Sequence, residues 1–138
     1  MAGKALRLVD AGYDVPKPLV SVLGKTIVQW SIETLGLKGN YIFCCKQEHI
    51  EKYNIDKILK EIIVDSEVIS IDYQTRGTLE SVLEARNKIN NDEELIISDT
   101  DHCLIWDTVN FEKNIRCQDI DACVMVFPKP TYSKAASY

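Results

Sequence analysis

Short apolar runs alternate along the chain with longer stretches of helical periodicity. The runs are Tyr41-Ile42-Phe43-Cys44-Cys45, Glu67-Val68-Ile69-Ser70-Ile71, Leu95-Ile96-Ile97 and Ala122-Cys123-Val124-Met125-Val126-Phe127. Gly39-Asn40 precedes the first, Asn90-Asn91-Asp92 the third, and Pro128 stops the fourth. Continuous runs of this length predict strands buried on both faces. Between them, Thr26 to Leu35 places Ile27, Trp30, Ile32 and Leu35 near one helical face, with Gly36 as a stop. Ile50 to Ile63 carries a broad stripe of Tyr53, Ile55, Ile58, Leu59 and Ile62. Thr78 to Ile89 turns Leu79, Val82, Leu83 and Ala85 inward and Glu80, Glu84, Arg86 and Lys88 outward, and Asn110 to Cys117 is a weaker helix. This alternation predicts an α/β layered fold with a largely parallel sheet. The chain begins on a loop that should follow a strand and closes on irregular polar residues just after one. The expectation is therefore a single partial domain over residues 1–138, lacking a first strand and further sheet.

Composition narrows the classes. The 138 residues are 46% hydrophobic and 27% charged, with a formal net charge of -5. That balance supports a real core and argues against general nucleic-acid binding, which needs clustered cations. No apolar run is long enough to span a bilayer, and Met1 is not followed by a secretory signal. Five cysteines, an odd number with no C-x-x-C pair, read as free thiols in a reducing, cytoplasmic setting, each a small buried hydrophobe.

Four segments carry candidate chemistry. Met1-Ala2-Gly3-Lys4-Ala5-Leu6-Arg7 offers a glycine for close backbone approach to phosphate, with Lys4 and Arg7 adding charge. In Val15-Pro16-Lys17-Pro18-Leu19 the prolines restrict the backbone on both sides of Lys17 and favour extended geometry before each, aiming the ammonium at an anion. The bland reading is a rigid surface turn. Thr75-Arg76-Gly77-Thr78 opens a helix. Thr75 or Thr78 could cap it, or Gly77 could let a flat base lie on bare backbone. Ile97-Ser98-Asp99-Thr100-Asp101-His102 sets two carboxylates just past an expected strand end, where ligands bind in open α/β sheets and where carboxylates hold Mg²⁺. Its bland reading is a polar loop with a turn-capping aspartate. His102 suits Mg²⁺ poorly and reads as loop structure. His49 reads as structural, Trp30 as core, and Trp106 with Asp107 as fixing the loop.

In this order the segments resemble the sugar-phosphate nucleotidylyltransferases, whose pattern is a strand, a loop G-x-G-[ST]-R and then P-K-x-L. Gly3-Lys4-Ala5-Leu6-Arg7 and Pro16-Lys17-Pro18-Leu19 correspond to these, followed by Gly24-Lys25, Glu48-His49 with Tyr53, Thr75-Arg76-Gly77-Thr78, and Asp99-Thr100-Asp101-His102 with Trp106-Asp107. The resemblance covers nearly the whole chain. It implies a Rossmann-like, GT-A-like three-layer sandwich, incomplete at both ends. It also implies attack of a sugar 1-phosphate on the α-phosphorus of an NTP, with Mg²⁺ as cofactor and no membrane or nucleic-acid partner. Residue by residue, it implies Ala2, Gly3, Lys4, Thr75 and Gly77 at the nucleotide. It gives Arg7 to the triphosphate, Lys17 to the α-phosphate and incoming sugar phosphate, and Asp101 with Asp99 to the metal. Two departures bear on this: Ala5 adds a methyl at the second loop glycine, and Leu6 removes a hydroxyl donor. A GT-A glycosyltransferase shares the Asp-x-Asp, and a non-catalytic nucleotide-binding module fits the altered loop. Sugar, base and oligomeric state stay open.

Overall fold

The computed structural model describes residues 12, 14–117 and 120–126. It divides into two units, Met1–Trp106 and Asp107–Tyr138. In the first unit a 3-10 turn over Lys17–Leu19 leads into a small antiparallel hairpin, β1 (Ser21–Val22) and β2 (Lys25–Thr26). Helix α1 follows over Ile27–Leu35. Thr26 caps its start, the hydroxyl accepting from the Gln29 amide at 3.3 Å. Gly36 ends it in the left-handed region at φ 64°, as the periodicity predicts.

Strand β3 (Ile42–Lys46) then pairs in parallel with β4 (Glu67–Ile71), in the register Phe43 opposite Val68 and Cys45 opposite Ser70. The crossover between them is helical, as a parallel pair requires. It consists of α2 (Gln47–Tyr53) and α3 (Ile55–Ile62) rather than one continuous helix. The break is Asn54, at φ 50°, a backbone region asparagine tolerates better than most residues. The core is the cluster of Val28 and Ile32 from α1, Phe43 and Cys45 from β3, and Ile55 and Leu59 from α3. The β3 residues are buried alternately, Phe43 and Cys45 fully and Ile42 and Cys44 by half, so this strand buries one face more deeply than the other. Trp30 is half-buried rather than core, and its indole donates to the Val22 carbonyl at 2.7 Å.

Several other apolar assignments are corrected. The helix expected over Thr78 to Ile89 is two short pieces, α4 (Thr78–Leu83) and α5 (Arg86–Ile89). Ala85 is buried, but Leu79 and Leu83 are 70% and 53% exposed. Leu95-Ile96-Ile97 forms no strand and is about half exposed, and residues 122–126 are likewise not a strand. A strand is defined by its ladder, and among the described residues neither segment has a pairing partner. An apolar run alone does not supply one. Of the cysteines only Cys45 is fully buried, which pushes its thiol up to about 12; Cys103, Cys117 and Cys123 are exposed. All five are free.

In the second unit α6 spans Thr108–Arg116. The Asp107 carboxylate caps it, accepting from the Asn110 amide at 2.9 Å. No described helix is long and apolar enough to cross a membrane.

Candidate functional site

Lys17 and Asp101 stand 84 residues apart in sequence and meet as an ion pair, Nζ to Oδ2. On the lysine side the geometry comes from the two prolines. Pro16 and Pro18 are both buried, and the Leu19 amide bonds back to the Pro16 carbonyl at 2.8 Å. Lys17 is therefore not extended, as the proline rule alone predicts, but sits in the 3-10 turn. Pro18 is accommodated because the first amides of a helical turn need no acceptor inside it. The turn is anchored by its prolines and presents an exposed ammonium.

On the acidic side, Asp99, Asp101 and His102 each offer a ligand atom within 4.8 Å of the others. His102 Nδ1 lies 3.5 Å from Asp99 Oδ2 and 4.0 Å from Asp101 Oδ1. Carboxylate oxygens are the donors that a hard cation takes, whereas an imidazole nitrogen does not suit Mg²⁺. The donor set therefore fits Mg²⁺ through Asp99 and Asp101, with His102 beside them.

The premise that this loop leaves a strand end is overturned, since Leu95–Ile97 is no strand. The loop is held instead by α1. Buried Ser31 donates its hydroxyl to the Asp99 carbonyl at 3.1 Å. Thr34 Oγ1 accepts from the Leu104 amide at 3.1 Å, and the Thr34 carbonyl accepts from the Trp106 indole at 3.0 Å. Trp106 fixes the loop as expected; Ser31 and Thr34 were not singled out from sequence. Ser31 had a legible signal, being a polar residue between Val28 and Leu35 on the stripe that faces the core.

Thr75 and Gly77 belong to the turn before α4. Thr75 is buried, and its hydroxyl lies 2.8 Å from that of Ser81. Ser81 in turn donates to the Gly77 carbonyl at 3.3 Å. Neither Thr75 nor Thr78 caps the helix, whose N-cap is Gly77 without a side-chain bond. The Glu80 carboxylate instead accepts from the Arg76 amide at 2.5 Å. That contact leads the causes holding Glu80 below the usual carboxylate range. Gly77 is exposed at φ 178°, and a Cβ there would meet nothing within 4 Å. Ala2, Gly3, Lys4 and Arg7, with Ala5 and Leu6, lie outside the described residues.

An open groove of about 740 Å³ also lies between α1, α3 and the Gly36–Gly39 segment. Among the described residues, none of the candidates Lys17, Thr75, Gly77, Asp99 and Asp101 lines it.

No curated protein and no solved structure matches this chain. A family model does: that of the nucleotidyl transferases, which aligns over residues 1–136 and so takes in the Lys17 turn, the Gly77 turn and the acidic loop together. The chain belongs to the nucleotidyl transferase family.

Proposed function

We propose that this chain is the nucleotide-binding part of a sugar-phosphate nucleotidylyltransferase on a GT-A-like, Rossmann-like frame. It would act in the cytoplasm with Mg²⁺, joining an NTP to a sugar 1-phosphate. The observation that carries the reading is the meeting of Lys17 with Asp101 beside Asp99. A phosphate-seeking cation next to a pair of metal-seeking oxygens is what transfer between two phosphates requires.

In the proposed reaction an oxygen of the sugar phosphate attacks the α-phosphorus of the NTP. The bond from that phosphorus to the bridging oxygen breaks, and pyrophosphate leaves with the electron pair. No covalent adduct with the chain forms. Asp99 and Asp101 would hold Mg²⁺, which supplies neutralisation of phosphate charge. Lys17 reaches the reacting phosphate by parting from Asp101, and its ammonium offsets the negative charge of two phosphates brought together. Gly77 leaves bare backbone for the base, while Thr75 supports that turn from below through Ser81. Arg7 is assigned to the departing pyrophosphate, and Ala2, Gly3 and Lys4 to the triphosphate.

The test is pyrophosphate release from NTPs with a panel of sugar 1-phosphates and Mg²⁺. Lys17→Ala and Asp101→Asn should each lower the rate on the order of 100-fold, the usual loss when one charge-stabilising group is removed. Unchanged rates in both would refute the assignment. Binding of a nucleotide-sugar with no binding of NTP would point to glycosyl transfer instead.

A further inference from the structure

The acidic loop has to keep two like charges within 4.8 Å of each other, which Coulomb repulsion opposes. Lys17 offsets charge there, but it does not fix the loop backbone. The backbone is tied to α1 at both ends of the segment. Ser31, only 5% exposed, grips the Asp99 carbonyl. Three residues on, Thr34 grips the Leu104 amide and the Trp106 indole. Positions three apart face the same way on a helix, so one edge of α1 reaches both ends of the loop. Thr34 is well prepared for this. Its hydroxyl donates to the Trp30 carbonyl at 2.7 Å, which turns a lone pair outward to accept from Leu104. Its carbonyl lies among the last four of the helix, which have no acceptor role inside it, and the Trp106 indole takes it up.

We infer that Ser31 and Thr34 are positioning residues, which clamp the loop from Asp99 to Trp106 so that the ligand atoms of Asp99 and Asp101 converge. The inference rests on the metal reading of that loop. It adds that the binding geometry is set by helix α1, not by the loop itself.

Two readouts on the full chain test it: Mn²⁺ affinity, by the loss of the free-ion electron paramagnetic resonance signal, and amide hydrogen exchange at Leu104. Thr34→Val keeps the shape and removes the acceptor. It should speed Leu104 exchange and weaken Mn²⁺ binding about three- to tenfold, the equivalent of one lost hydrogen bond. Ser31→Ala should weaken Mn²⁺ by a similar factor, and Thr34→Ser should behave as wild type in both readouts. Where wild type binds Mn²⁺ more tightly than Asp101→Asn, faster Leu104 exchange in Thr34→Val with unchanged Mn²⁺ affinity would overturn the positioning role. So would Leu104 exchange indifferent to Thr34→Val. If wild type and Asp101→Asn bind Mn²⁺ equally poorly, the metal reading fails. The clamp is then decided by Leu104 exchange alone, acceleration supporting it and no change refuting it.

Discussion

Gly77 is the residue whose proposed role can be separated most cleanly from folding. Its φ of 178° is available to any amino acid, and the space around a new Cβ is open. Gly77→Ala should therefore leave the thermal midpoint within about 2 °C of wild type, as for a surface change worth under ~0.5 kcal/mol. If a base lies on this backbone, the added methyl should weaken NTP binding about tenfold or more, read by calorimetric titration. Unchanged affinity would move the base elsewhere. His49 makes a second prediction. Its Nδ1 is buried without a hydrogen-bond partner among the described residues. Burial, with Lys46 nearby, holds its pKa below 6.5, against a smaller opposing effect of Glu48. The unfolded chain takes up this proton more readily than the folded one, so the stability concerned is present above about 6.5 and lost as pH falls below it. Thermal melts at pH 7.5 and 5.5 should show a larger loss for wild type than for His49→Gln, and equal losses would refute the assignment.

Among the elements, the joint between α2 and α3 shows how a backbone angle overrules a side-chain pattern. The stripe from Ile50 to Ile63 continues across Asn54, yet the chain turns left-handed there, and the Asn54 carbonyl starts a new helix by accepting from Lys57 and Ile58. Helical periodicity records which residues face inward and is blind to a one-residue interruption. Asn54→Val, β-branched at positive φ, should destabilise the chain by about 1–2 kcal/mol, whereas Asn54→Gly should be close to neutral. Urea unfolding of the two variants checks this. The Gly36 stop was open to sequence reading because it depends on residues within a few positions, whereas Asp107, expected only to fix the loop with Trp106, is the cap of a helix that starts at Thr108 rather than Asn110. Leu95–Ile97 departs from its apolar pattern for the complementary reason: a strand needs a pairing partner, and apolar character says nothing about whether one is present.

For the molecule as a whole, stability should rest on the cluster that joins α1, β3 and α3. Leu59 is fully buried in it, and Leu59→Ala should cost about 2–5 kcal/mol in urea unfolding, while Leu79→Ala, at an exposed site, should cost little. Equal losses would mean that burial is assigned wrongly. The amino-acid sequence alone was enough for some local features: the Gly36 helix stop, the two strands of the parallel pair with helix between them, and the residue types proposed for phosphate and metal. The tertiary structure alone decided which apolar residues are buried, that Lys17 reaches Asp101, and that Ser31 and Thr34 hold the acidic loop. Those outcomes join groups 68 to 84 residues apart. A contact across that separation depends on how the intervening elements pack, and no local pattern records it.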